Sequence, residues 1–196
     1  AIGISTRATN IASSAIGNSA ISMGQSGTAV GYSAIATNNS TALGSLSTAS
    51  GEGSISIGNG SESPGIGGIA VGPNASASGG SDISIGTDAV SSGTNSIAIG
   101  TGATVTHQSS TAIGHAAFTT MSNQVVVGDS GDSVYIPGQL SAVSISNLTT
   151  VATSTNILRG DISFPRSAIS TVANGVNSIN VGTNVYVVLT GSPSAD

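Results

Sequence analysis

The residues best suited to chemistry lie close together near position 130. Gly128-Asp129-Ser130-Gly131 has the form of a serine nucleophile loop, and two histidines, His107 and His115, lie upstream. A triad needs a base and an orienting acid held on a rigid scaffold. No protease pattern surrounds either histidine, so a polar turn is the expected reading of Gly128–Gly131. Asp129 and Asp132 are weak metal candidates, because two carboxylates fall short of the 6–8 oxygens that calcium takes. His107 is a weak candidate for an ion shared between copies. Gly65-Ile66-Gly67-Gly68 has the look of a phosphate loop but precedes no helix, so it lacks a helix N-terminus to hold an anion. Glu52, Glu62, Asp82 and Asp88 are too spread out to form the paired carboxylates of a glycosidase. Asn38, Asn39, Asn59, Asn74 and Asn147 open glycosylation sequons, which chance supplies readily in a chain this rich in Asn, Ser and Thr. The expectation is therefore no enzyme, no cofactor and no firm metal site.

Composition narrows the class further. Of 196 residues only 6% are charged and 3% aromatic; lysine, cysteine and tryptophan are absent, and the formal net charge is −5. Arg7, Arg159 and Arg166 are the only Lys or Arg residues, which argues against a nucleic-acid surface. No apolar run approaches the ~20 residues that span a bilayer. Low charge with evenly spaced Ile, Val and Leu excludes the disordered class, which combines low hydropathy with high net charge. The chain opens in mid-pattern at Ala1-Ile2-Gly3, as a fragment or processed product would.

The spacing comes from a repeat. An apolar residue followed by glycine recurs at Gly3, Gly17, Gly31, Gly44, Gly58, Gly72, Gly86, Gly100, Gly114 and Gly128, every 14 residues except for 13 between Gly31 and Gly44. Seven residues after each glycine comes a second punctuation: Asn10, Gly24, Asn38, Gly51, Gly65, Gly79, Gly93, His107 and Met121. Gly, Asn and His tolerate a positive φ, so these positions predict left-handed corners, with a distorted coil at Met121. The missing residue is expected between Asn38 and Thr41. Seven-residue halves are too short for capped helices and fit short strands. Two strands make a 14-residue coil, and nine to ten coils stacked ~4.8 Å apart make a rod roughly 45 Å long.

Each column of the stack can be read for its facing. The positions one and three before the glycine, rich in Ile, Val and Leu, are expected inside, opposite small residues three and five after it. The column two before the glycine is small or apolar throughout: Ala15, Ala29, Ala42, Ser56, Ala70, Ser84, Ala98, Ala112 and Val126. It is expected to face outward and pack against other copies, because such a thin coil buries too little alone. The column four after the glycine varies freely, and Ile21, Ile35, Glu62, Val90 and Phe118 in it are the candidate adhesive face.

Ser96-Ile97-Ala98-Ile99-Gly100, Gly68-Ile69-Ala70-Val71-Gly72 and Ser110-Thr111-Ala112-Ile113-Gly114 resemble the YadA-like head repeats of trimeric autotransporter adhesins. The resemblance covers roughly residues 1–128. It implies an all-β, left-handed parallel β-roll of 14-residue two-strand coils, assembled as a homotrimer outside the cell. The family's neck, stalk and membrane anchor are not seen. Instead, Ser133-Val134-Tyr135-Ile136-Pro137-Gly138-Gln139-Leu140 resembles the link after such rolls in fibres of phages and large viruses. The domain reading is a roll over 1–128, a β connector over 129–165 and the start of a second small β-domain over 166–196. Strands are expected at Val134–Ile136, Leu140–Ile145, Asn177–Val181 and Val185–Leu189.

Three functions follow as expectations. The favoured one is a trimeric fibre or spike on a virion or cell surface, attaching to a receptor or glycan. The second is a bacterial adhesin of the autotransporter type. The third is a monomeric solenoid binding ice or polysaccharide, which would need a regular ladder such as the row begun by Thr104 and Thr106.

Overall fold

The computed structural model describes residues 1–137. Over that span the chain winds into a two-sheet parallel solenoid, and no helix occurs among the described residues. Three-residue strands lead into the repeated glycines: Ser14–Ile16, Thr28–Val30, Thr41–Leu43, Ile55–Ile57, Ile69–Val71, Ile83–Ile85, Ile97–Ile99, Thr111–Ile113 and Val125–Val127. They stack as a nine-stranded sheet. Two-residue strands from Arg7–Ala8 to Thr104–Val105 follow the glycines and form an eight-stranded sheet. Register repeats coil by coil: Ile69 pairs with Ile83 and Ile83 with Ile97, while Ser76 pairs with Val90 and Val90 with Thr104.

The glycine at the end of each longer strand is required twice over. Gly86 has φ +134°, a conformation that L side chains rarely adopt, and a β-carbon there would lie 2.5 Å from the carbonyl oxygen of Gly100 in the next coil. The second punctuation has a different cause from the one expected. Gly24, Gly51, Gly65, Gly79 and Gly93 are not in the left-handed region; a β-carbon at each would run into the backbone or a side chain of its own or the next coil, as at Gly79, 2.6 Å from Gly93 O. The left-handed residues come later, at Ser26, Asn39, Ser81, Asn95, Ser109 and Asn123, and at Ser19, Ser33, Asn74 and Asp88 on the opposite corner. At Met121 the coil is distorted on one side only: Val125–Val127 still pairs in register with Thr111–Ile113, whereas the shorter strand is reduced to a single bridge between Phe118 and Thr104.

The short coil loses its residue earlier than expected. Thr37 donates to Ala49 O, as Met23 does to Ala36 O one coil before, and also accepts from Ser40 N, as Gly24 accepts from Gly27 N. One residue thus fills two positions at the turn, and the strands on either side keep their register: Ile35 pairs with Thr48 and Thr28 with Thr41.

The interior is made almost wholly of alanine and serine. Ala34, Ala36, Ala75, Ala77 and Ala103 point inward from the eight-stranded sheet, and Val105 is the largest fully buried side chain. The last ladder bond runs from Gly128 N to Ile113 O. Val134–Ile136, expected as a strand, pairs with no other described residue and is exposed. Leu140–Ile145, Asn177–Val181, Val185–Leu189, Asn147, Arg159, Arg166 and the second β-domain lie outside the described residues.

Candidate functional site

The outer faces of the two sheets are the largest candidate surfaces, and the first corrects the facing read from the sequence. Ala29, Ala42, Ser56, Ala70, Ser84, Ala98 and Ala112 are fully buried, and Ala15 is 1% exposed. They face the interior of their own coil rather than another copy. Val126, partly buried, packs on the cluster of Ala98, Ala103, Val105, Ala112 and Ala117. The cause is thickness: small residues line both inner walls, so the sheets approach too closely for Ile or Leu to fit between them.

Strand alternation then sends the large residues outward. Ile16, Val30, Leu43, Ile57, Val71, Ile85, Ile99, Ile113 and Val127 form one unbroken ladder up the outer face of the nine-stranded sheet. Its isoleucines are 37–44% exposed. Beside it runs a second column, Ile55, Ile69, Ile83 and Ile97, half-buried, with Ser14, Thr28 and Thr41 toward the start of the chain and Thr111 and Val125 toward the end of the roll. Together the two columns expose on the order of 1,000 Å² of apolar surface, beyond the few hundred Å² that a soluble monomer usually tolerates.

The second face follows the sequence expectation. Ile21, Ile35 and Val90 point outward and are half-buried, and Glu62 and Phe118 are exposed. Hydroxyl residues dominate the neighbouring outward column, with Thr9, Thr37, Ser50, Ser78, Ser92, Thr106 and Thr120. No charged side chain stands on either column between Glu62 and Phe118.

The residues singled out for chemistry are not brought together. Asp129 and Asp132 cap a turn: Asp129 N donates to Asp132 Oδ2 at 2.9 Å, and Gly131 N donates to Asp129 Oδ1 at 2.7 Å. The His107 ring pairs with Thr106 Oγ1 at 3.1 Å rather than with Ser130. Among the described residues no three His, Cys, Asp or Glu side chains group as a metal site would require. Gly65-Ile66-Gly67-Gly68 is an ordinary turn of the roll, with Gly67 at φ +65°. Asn38, Asn39, Asn59 and Asn74 are exposed at turns.

One carboxylate escaped the sequence reading. Asp82 is fully buried, accepting from Gly79 N at 2.9 Å and from Ser96 N of the next coil at 2.9 Å. Serine is the commonest residue of its column, at Ser13, Ser40, Ser54, Ser96 and Ser110, beside Gly27, Gly68 and Gln124, and that was the signal available. Asn10 N and Thr37 N donate to Ser13 and Ser40 in the same way.

Comparison with known proteins bears on this stack of coils. The YadA head domain repeat family matches residues 38–61, 63–89 and 91–117. These segments are YadA head repeats. The YadA-like roll also superposes on the collagen-binding domain of the Yersinia adhesin YadA, with a TM-score of 0.50 at 25% sequence identity, covering 74% of this chain and 94% of that one. No curated protein matches the chain. The matches are to a bacterial adhesin, so they favour the second of the three functions over the virion fibre. Among the described residues, no helix is long and apolar enough to cross a membrane.

Proposed function

We propose that the chain forms the trimeric, non-enzymatic adhesive head of a cell-surface protein. The observation that carries this reading is the Ile/Val/Leu ladder on the nine-stranded sheet. An interior of alanine and serine contributes little burial. On the outer face of the nine-stranded sheet, by contrast, every rung of one column is Ile, Val or Leu, in register over nine coils. Closing that face against identical faces around a threefold axis covers all three ladders at once, as closed cyclic symmetry requires. The eight-stranded sheets are then left on the outside of the rod, where their variable column can meet a ligand. The YadA domain that the roll resembles supports the adhesive role, and its description makes collagen the first ligand to try.

Light scattering on the native protein tests the assembly. A mass of three chains is expected, and a stable single-chain species at micromolar concentration would overturn it. Binding to immobilised collagen, with and without the assembled trimer, tests the adhesive role separately.

A further inference from the structure

Phe118 is the one phenylalanine among the described residues, and it is 58% exposed on the outer face of the eight-stranded sheet. Nothing in the roll requires it there: the same column holds Thr104 and Ser76 in earlier coils. Its backbone bridges to Thr104 in the coil before. Thr120 follows two residues later on the same face, and Thr106 lies diagonally across. On the backbone, such neighbours along the strand and between coils lie ~5–7 Å apart. Thr106 Oγ1 pairs with His107 Nδ1 at 3.1 Å, and Thr120 Oγ1 lies 3.4 Å from Gln124 Oε1. An apolar ring and hydroxyl side chains thus share this face, with an imidazole and an amide hydrogen-bonded to two of the hydroxyls.

We propose that this patch, with Phe118 as the platform and Thr106, His107 and Thr120 as its polar rim, binds a neutral saccharide. A pyranose has an apolar C–H face that can lie on an aromatic ring and hydroxyls that point to its edges, so the patch matches both. Charge selects the class of saccharide. Arg7, near the other end of the stack, is the only Lys or Arg among the described residues, so none of them brings a guanidinium or ammonium group to the patch for a sialylated or sulfated glycan. A peptide fits less well: the patch has no groove for a side chain and no charged partner for an ion pair. The surface is open and shallow, so one copy binds weakly. The proposal rests on the trimeric head described above, because three copies on one rod raise the apparent affinity for a dense glycan layer ~10²-fold or more.

The test is a glycan array carrying neutral, sialylated and sulfated oligosaccharides, probed with the assembled protein and with Phe118→Ala, Phe118→Tyr and Thr106→Val. Binding confined to neutral glycans is expected, weakened about tenfold in Phe118→Ala and retained in Phe118→Tyr. Binding only to acidic glycans overturns the proposal. So does undiminished binding by Phe118→Ala, or binding to collagen with none to any glycan. Should Phe118→Ala not fold, saturation transfer from the Phe118 ring protons to the sugar C–H protons of the best neutral glycan decides the point in the unmodified protein, and its absence overturns the proposal. Light scattering on the same samples separates the two readings. A trimer without glycan binding sinks this inference alone, whereas a glycan-binding monomer sinks the trimer and leaves the site.

Discussion

Replacing Ile85 with serine should dissociate the assembly while leaving the coil that carries it intact. Ile85 is 39% exposed in the single chain, so its outward surface, about 70 Å², is what a partner would cover; at ~25 cal/mol per Å² it contributes ~1.8 kcal/mol per copy. Threefold symmetry removes this contribution three times, ~5 kcal/mol in all, which lowers the assembly constant by three to four orders of magnitude. Sedimentation across a concentration series would show the trimer–monomer midpoint, which varies as the inverse square root of that constant, moving up about 100-fold. Val90→Ser, on the other sheet, also removes an outward apolar side chain and should leave the midpoint unmoved. The reasoning is refuted if Ile85→Ser sediments as wild type, or if the two variants dissociate alike. Ile85→Asp sharpens the test, since it would bury three like charges at the threefold axis.

Substitutions at four further positions probe the coil itself. Ala98→Leu should abolish cooperative thermal unfolding followed by circular dichroism, because Ala98 is fully enclosed and the interior has no room; were Ala98 on an outer face, the monomer would still fold. Gly86→Ala, with φ +134° and a β-carbon against Gly100 O, should prevent folding or lower the melting temperature steeply. Gly53→Asn, at φ +68° with open space around it, should cost under ~1 kcal/mol, since Asn39, Asn95 and Asn123 already hold the equivalent position. Asp82→Asn should melt below Asp82→Ser: the amide would turn a donor toward a backbone N–H, losing ~1–3 kcal/mol, whereas serine is that column's usual residue.

The period, the paired sheets and the parallel register were legible in the sequence because glycine spacing and strand alternation repeat them in every coil. The facing of the longer strands was not. Alternation at Ile97-Ala98-Ile99 says that the isoleucines and the alanine lie on opposite sides, but it does not say which side is the interior. The usual preference for large apolar residues inside decided wrongly, because it presumes a single chain with a wall-to-wall gap wide enough for isoleucine. The small inward residues of the other strand, such as Ala75 and Ala77, were the available hint: small residues on both walls mean a thin coil. The corner glycines were misread for a related reason. Gly65 and Gly93 are glycine because the next coil is pressed against them, a contact across 14 residues that a local reading of φ preferences does not contain. Asp82 was invisible as a buried group because its partners are backbone amides rather than a charged side chain.

The 13-residue coil at Thr37 bears on how such a head can change over time. A residue can be lost at that turn without shifting either sheet, while a loss within a strand would turn that strand's isoleucine into the alanine column. Insertions and deletions should therefore survive in two forms: whole coils, gained or lost by in-frame duplication, and single codons at corners. Because each coil leans only on its neighbours, a whole-coil duplication would lengthen the rod by one strand spacing, ~4.8 Å, and leave every face unchanged. Reach beyond the surface is thus a trait that copy-number variation can adjust in small, equal steps, without a new fold or a new interface.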